Sequence, residues 1–385
     1  ADPDYAEEIT GNQEARDLAE EAARKAAVLL KNENNILPLD QSKYKKIAVI
    51  GPNAAVTVLG GYSDEPRQTI SILEGVENKV GKSIDIVHAK GVSLTNNNSW
   101  WDDEVSLIGP EQNRKDIIKA IKVAKDADLI ILAIGGNEST SREAWSETHM
   151  GDRNDIELIG DQKELIEALA KTGKPMVSVV ISGRPLSLTN VEDNLDAILY
   201  GWILGQETGT AVADILFGDT NPSGKMPVSV PRSVGNIPAY YNHKPTARRG
   251  YAFSDASPLY AFGEGMSYTT FDISEPILSS SIIGIDEAIS VSVEVKNTGL
   301  VEGEEVVQLY VRDKVSSVTR NVKDLKGFER VSLAPGETKT VTFPIRKESL
   351  WFYNLDMERV VEPGEFDIMV GNSSQNVKSV TLTVQ

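Results

Sequence analysis

Over the first part of the chain, apolar residues gather in short continuous runs separated by amphipathic stretches. Over the last third they alternate with polar ones. Residues 46–51, 84–89, 127–135, 176–182 and 197–204 are strand-sized apolar runs. Helical text lies between the later runs, at 116–125, 161–171 and 208–217. Continuous apolar strands alternating with amphipathic helices predict a mostly parallel sheet covered on both faces, an α/β sandwich assigned to residues 41–225. Ahead of it, residues 13–32 predict a helix. Leu18, Ala22, Ala26 and Leu29 fall near helical spacing, and Asn35 and Pro38 mark its end.

From residue 219 to residue 275 the text is rich in proline, glycine and tyrosine and weak in periodicity. Its aromatics predict an ordered connector, assigned to 226–275, in place of a flexible linker. Beyond it, 289–295 alternates apolar and polar residues and Asn297-Thr298-Gly299 is a turn. Further runs lie at 306–311, at Val331 and Leu333, and at 339–345, 366–370 and 380–384. Short strands punctuated by Asn-Thr-Gly, Ala-Pro-Gly and Glu-Pro-Gly predict an all-β sandwich over 276–385. Without a Cys–Trp–Cys framework, a fibronectin type III-like sandwich fits better than an antibody-like one. Trp351, Phe352 and Tyr353 are expected to pack there, and Trp202 to lie in the core.

Composition narrows the chemistry. The chain has no cysteine, which excludes disulfides, thiolate catalysis and cysteine-based zinc sites. Its three histidines, His88, His149 and His243, show no HxH or HExxH spacing, so no metal is expected. A formal charge of −18 excludes a nucleic-acid binder, which needs a basic surface. No apolar run reaches the roughly 18 residues of a membrane span, so no membrane partner is expected. Ala1-Asp2-Pro3-Asp4 carries neither a basic nor an apolar leader segment. The compartment stays open, with export favoured over the cytoplasm. The segment GPNA (51–54) lacks the spacing of a phosphate loop.

Ligands of open α/β sheets bind at the carboxyl ends of strands. The longest polar insertion of the α/β region follows the run 127–135 and spans 136–153. It holds Glu138, Glu143 and Glu147, with Arg142, Arg153, His149 and Trp145. A carboxyl group doing acid/base work needs a tuned environment. A neighbouring tryptophan desolvates it and offers a platform for a sugar ring, while an arginine favours the charged form. The residues alone also allow a merely soluble loop.

The segment GGNESTSREAWSETHMGDRNDIELIGDQ (135–162) resembles the acid/base loop of family 3 glycoside hydrolases. The resemblance covers nearly the whole chain. It runs through AARKAAVLLKNENNILPL (22–39), KIAVIGPNA (46–54), TGKPMVSVVISGRPLSL (172–188) and LYGWILGQETGTAVADILFGDTNPSGKMPVSVPRSVG (199–235). It continues through PLYAFGEGMSYTTF (258–271), VKDLKGFERVSLAPGETKTVTF (322–343) and EPGEFDIMVGNSS (362–374).

The resemblance implies an (α/β)6 sandwich followed by a fibronectin type III-like domain. Residues 1–40 become a helical linker from an absent N-terminal (β/α)8 barrel. In the family that barrel carries the aspartate nucleophile and grips the sugar hydroxyls. The implied activity is that of a retaining, exo-acting β-glycosidase on short β-glucosides, with β-xylosides second. No cofactor is implied. The implied partners are the barrel, as a domain or a separate chain, and a β-linked oligosaccharide or aryl glycoside; a homodimer is left open. Family members read Glu, then Gly or Ala, then a downstream Asp-Arg or Ser-Arg. Glu143-Ala144 with Asp152-Arg153 matches with a longer insert, so Glu143 is the first choice for acid/base. Glu138 is the reserve and Glu147 a weaker third. Arg142 is assigned to orient a carboxylate or bind a substrate hydroxyl. Trp145 either lines the sugar site or anchors the loop. The competing class is a non-catalytic sugar-binding or scaffold module derived from such an enzyme. A co-purifying chain of barrel size supports the enzyme, and a lone 41.9 kDa species the module.

Overall fold

The apolar runs of the first part assemble into one six-stranded sheet. The computed structural model describes residues 2–97, 99–245 and 250–385, and separates into the units Ala1–Gly224 and Lys225–Gln385. In the first unit the helices are α1 (Pro3–Ile9), α2 (Gln13–Ala26), α3 (Ile72–Val80), α4 (Pro110–Lys125), α5 (Glu138–Ser141), α6 (Gln162–Ala170) and α7 (Thr208–Phe217). The strands are β1 (Val28–Asn32), β2 (Lys46–Ile50), β3 (Asp85–Ala89), β4 (Leu129–Gly135), β5 (Met176–Ile181) and β6 (Ala197–Trp202). Their order across the sheet is β1-β6-β5-β4-β2-β3. All pairs are parallel except β1–β6. Every residue of β4 and β5 is buried, as a parallel sheet covered on both faces requires.

One element departs from the sequence reading. The helix over 13–32 stops at Ala26, and Val28–Asn32 is an edge strand pairing Val28 with Tyr200 and Asn32 with Ala197. α2 buries only Ala23, whereas Ala27, Val28 and Leu29 are fully buried. Three consecutive buried side chains suit an extended segment, which sends neighbours to opposite faces, better than one stripe of a helix. The step from alanine-rich text to Val-Leu-Leu marks the change. Helix α3, which the apolar runs did not reveal, is set by a capping box. The Ser71 side chain accepts from the Glu74 N–H, and the Glu74 carboxylate accepts from the Ser71 N–H at 2.8 Å.

α3 packs on α7 through reciprocal glycines. A Cβ on Gly209 would stand 1.9 Å from the Ser71 carbonyl oxygen, and one on Gly75 2.0 Å from that of Gly209. Both obstacles are backbone, which cannot rotate away. Gly209→Ala is therefore expected to lower the unfolding free energy by about 3 kcal/mol, the upper part of the range for overpacking. Urea unfolding of the two forms checks this.

The second unit is built from two sheets. In one, Ile289–Asn297 lies between Thr338–Ile345 and the short strands Phe271–Ile273 and Ile277–Leu278. The other runs in the order Asp324–Leu333, Gly303–Asp313, Gly364–Gly371, Val377–Val384, Ile282–Ile283. Alternate residues such as Val291, Val293, Val295, Leu309, Val341 and Ile368 form one apolar core, as a two-sheet sandwich needs. The aromatic trio packs locally: Arg359 lies over Trp351 at 4.5 Å and over Tyr353 at 5.3 Å, and Arg320 over Phe352 at 4.4 Å.

Candidate active site

Strand order fixes where a ligand crevice opens. The chain leaves β2 for β3 on one side and returns to β4 on the other, so the order of connection reverses between the parallel strands β2 and β4. Beyond their carboxyl ends, the Asn53 amide donates to the carbonyls of Gly136 at 3.0 Å and Ile134 at 3.3 Å. α5 begins here, with Asn137 as its cap. The Asn137 side chain accepts from the Thr140 N–H at 3.0 Å and donates to Thr95 Oγ1 at 2.9 Å. Glu138, in the first turn, is partly buried, and its carboxylate accepts from the Leu59 N–H at 3.0 Å.

After α5 the backbone turns extended at Arg142 (φ −72°, ψ 163°). In extended chain, neighbouring side chains point to opposite sides. Arg142 goes inward and is fully buried. Its Nε donates to the Met150 carbonyl at 2.8 Å, Nη1 to that of Trp100 at 2.7 Å and Nη2 to that of Asp103 at 3.2 Å. Glu143 goes outward and is exposed. The buried guanidinium thus joins the loop to the segment around Trp100–Asp103, and the Met150 N–H adds a bond to the Asp103 carbonyl at 3.0 Å.

The rest of the loop folds back onto Glu143. The Ala144 N–H donates to Asp152 Oδ1 at 3.0 Å. A Cβ on Gly151 would stand 2.6 Å from the Glu143 carbonyl carbon, so only glycine allows this approach. Arg184, just beyond β5, donates to the Arg142 carbonyl and reaches that of Gly151 at 3.4 Å. Burial and the nearby Arg153 hold the Arg184 guanidinium below its ordinary range, and Asp152 and Glu143 offset this only in part. Arg153 is itself held by Asp155 at 2.5 Å and the Glu157 carbonyl at 2.8 Å.

Trp145 is 57% exposed and stacks on His149, with ring centroids 3.7 Å apart and planes within 8°. His149 is 1% exposed, and its Nδ1 lies 3.5 Å from Asp103 Oδ1. Trp101, 74% exposed, stands 6.4 Å from Trp145 at a 54° tilt. Two loops thus bring two open indole rings together, one of them two residues along the chain from Glu143. Glu147 is exposed on the same turn. Of the sequence candidates, Glu143 and Trp145 are exposed, Arg142 is buried, and Glu138 is engaged on the Leu59 amide. Sequence reasoning passed over Trp101 and Arg184. The signals were there: a Trp-Trp pair in polar text, and an arginine directly after a buried strand.

Comparison with known proteins identifies the family of the fold. Residues 27–268 match the glycosyl hydrolase family 3 C-terminal domain, and residues 305–374 match a fibronectin type III-like domain. A β-xylosidase from Formosa agariphila is 45% identical over 98% of this chain and 51% of its own length. A periplasmic β-glucosidase from Salmonella typhimurium is 42% identical over 98% of this chain and 51% of its own length. A solved β-glucosidase from Erythrobacter marinus superposes with a TM-score of 0.97 at 43% identity, covering 100% of this chain and 52% of its own. The β-glucosidase of Listeria innocua, solved with glucose, gives 0.84 at 32% identity over 97% of this chain and 50% of its own. The chain therefore spans about half the length of the relatives it matches. The parallel α/β sheet of the first unit, the β-sandwich of the second and these matches together make the chain a member of glycoside hydrolase family 3, carrying that family's C-terminal part.

Proposed function

We propose that this chain supplies the general acid/base of a retaining, exo-acting β-glycosidase and that a (β/α)8 barrel, as a domain or a partner chain, supplies the aspartate nucleophile. The observation that carries this reading is the pairing of a fully buried Arg142 with an outward Glu143 on a loop bonded to the Trp100–Asp103 segment and to Arg184. In the first step the barrel aspartate attacks the anomeric carbon and Glu143 protonates the departing oxygen. In the second, Glu143 takes a proton from water, which displaces the aspartate and yields the β-anomer. Double displacement sets the two carboxyl groups about 5 to 5.5 Å apart.

Glu138 has a different part in this reading, because its carboxylate is engaged on the Leu59 amide. Arg142 works on the loop and not on a sugar hydroxyl, since Nε and both terminal nitrogens are taken by carbonyls. Trp145, with Trp101, forms an apolar wall on the leaving-group side, where a pyranose or aryl face can stack. Short β-glucosides are the leading substrates and β-xylosides the second. Both activities are named among the relatives. Export suits the resemblance to a periplasmic enzyme. No helix among the described residues is long and apolar enough to cross a membrane.

Two measurements test the proposal in the enzyme with its barrel. Proton NMR of aryl β-glucoside hydrolysis should show the β-anomer of glucose first; α-glucose first refutes retention. Trp145→Ala should lower kcat/KM for cellobiose about tenfold, the worth of one aromatic stack, and leave methyl β-glucoside unchanged. Equal losses on both would remove the ring from the leaving-group side.

A further inference from the structure

Arg184 is anchored before it reaches the loop. Its own N–H donates to Ser182 Oγ at 3.1 Å, and its carbonyl accepts from the Tyr200 hydroxyl at 2.9 Å. Tyr200 is fully buried in β6, and its oxygen also accepts from the Leu186 N–H at 2.9 Å. The backbone that carries Arg184 is therefore fixed to the sheet.

From that base the guanidinium spans both arms of the loop. Nη2 donates to the Arg142 carbonyl, the oxygen of the peptide that joins Arg142 to Glu143. It also reaches the Gly151 carbonyl at 3.4 Å. Gly151 is the residue pressed against the Glu143 backbone. Nε is buried and has no hydrogen-bond partner among the described residues, and both hydrogen bonds from Nη2 go to the loop. The charged groups acting on the guanidinium are Arg153, Asp152 and Glu143. Arginine suits this task better than lysine, because its planar fork presents several donors in fixed directions.

We propose that Arg184 is a positioning residue for the acid/base: by holding the Arg142–Glu143 peptide and the Gly151 carbonyl together, it fixes where the Glu143 carboxyl meets the leaving oxygen. This rests on the assignment of Glu143. A displacement of about 1 Å costs on the order of a hundredfold in rate, and here the cost falls on the proton transfer alone. Loss of the clasp should therefore depend on how much the leaving group needs a proton, which a general loss of stability does not.

The test compares methyl β-glucoside, a poor leaving group, with 2,4-dinitrophenyl β-glucoside, an activated one, in the enzyme with its barrel. Arg184→Met is expected to lose about a hundredfold in kcat/KM on the first and to keep most activity on the second. Arg184→Lys, which retains the charge, is expected to recover part of the loss and covers the case in which the methionine variant does not fold. The double variant Arg184→Met/Glu143→Gln should be no slower than Glu143→Gln. Equal losses on the two substrates, or no loss, overturn the positioning role. If Glu143→Gln itself treats the two substrates alike, the acid/base assignment fails and the role of Arg184 with it. If Glu143→Gln discriminates and neither Arg184 variant does, only the role of Arg184 fails.

Discussion

Glu143→Gln, in the enzyme with its barrel, is expected to slow hydrolysis of alkyl β-glucosides by about a thousandfold, within the range for losing a general acid. Glutamine keeps the shape of the side chain and removes its proton transfer. The first step with 2,4-dinitrophenyl β-glucoside should stay fast, because that leaving group departs without protonation. The second step should become limiting, because water then lacks its base. A burst of dinitrophenol followed by slow turnover is the expected trace. Glu138→Gln is expected to retain fast turnover on both substrates, since its carboxylate serves the Leu59 amide. Stopped-flow absorbance on the two variants separates these outcomes.

The second large effect concerns the chain by itself. Residues 1–385, free of any barrel, are expected to hydrolyse aryl β-glucosides at less than about one ten-thousandth of the rate of the complete enzyme, since effective molarities from positioning alone reach far beyond that factor. Double displacement needs carboxyl groups on opposite faces of the glycosidic bond. Glu138 is bound to a backbone amide, and Asp152 accepts the Ala144 N–H within the same loop as Glu143. Neither faces Glu143 across a sugar. The β-sandwich unit is expected to add stability and no substrate contact. Turnover by the chain comparable to that of the complete enzyme would require a nucleophile within this sequence.

Much of the architecture was legible because burial on both faces leaves an unmistakable text. The runs 46–51, 127–135 and 176–182 match β2, β4 and β5 within two residues at each end. The helix 208–217 matches α7 at both ends. The alternating text of the last third likewise matches the sandwich strands. Val28–Asn32 was hidden because its leucines and lysine suit a helix and follow alanine-rich helical text, whereas its pairing with β6 makes it a strand.

The site was less legible, because its roles depend on which way side chains point. Arg142 and Glu143 are adjacent charged residues in the same polar text, and only the extended backbone at Arg142 sends one inward and one outward. Arg184 lies 41 residues beyond Glu143, and parallel sheet order alone brings β5 beside β4. Trp101 comes from another loop, joined by the buried guanidinium of Arg142. Spacing along the chain does not encode such contacts.

The most direct test of Glu143 as the acid/base of a retaining enzyme is the product formed with azide. In Glu143→Ala, azide occupies the space left by the carboxyl and needs no base to attack. It should displace the barrel aspartate from the anomeric carbon of the glycosyl-enzyme. With 2,4-dinitrophenyl β-glucoside and sodium azide, NMR of the Glu143→Ala reaction should show β-glucosyl azide, while Glu138→Ala should yield glucose alone. An α-glucosyl azide, or a β-azide from Glu138→Ala with none from Glu143→Ala, would contradict the account.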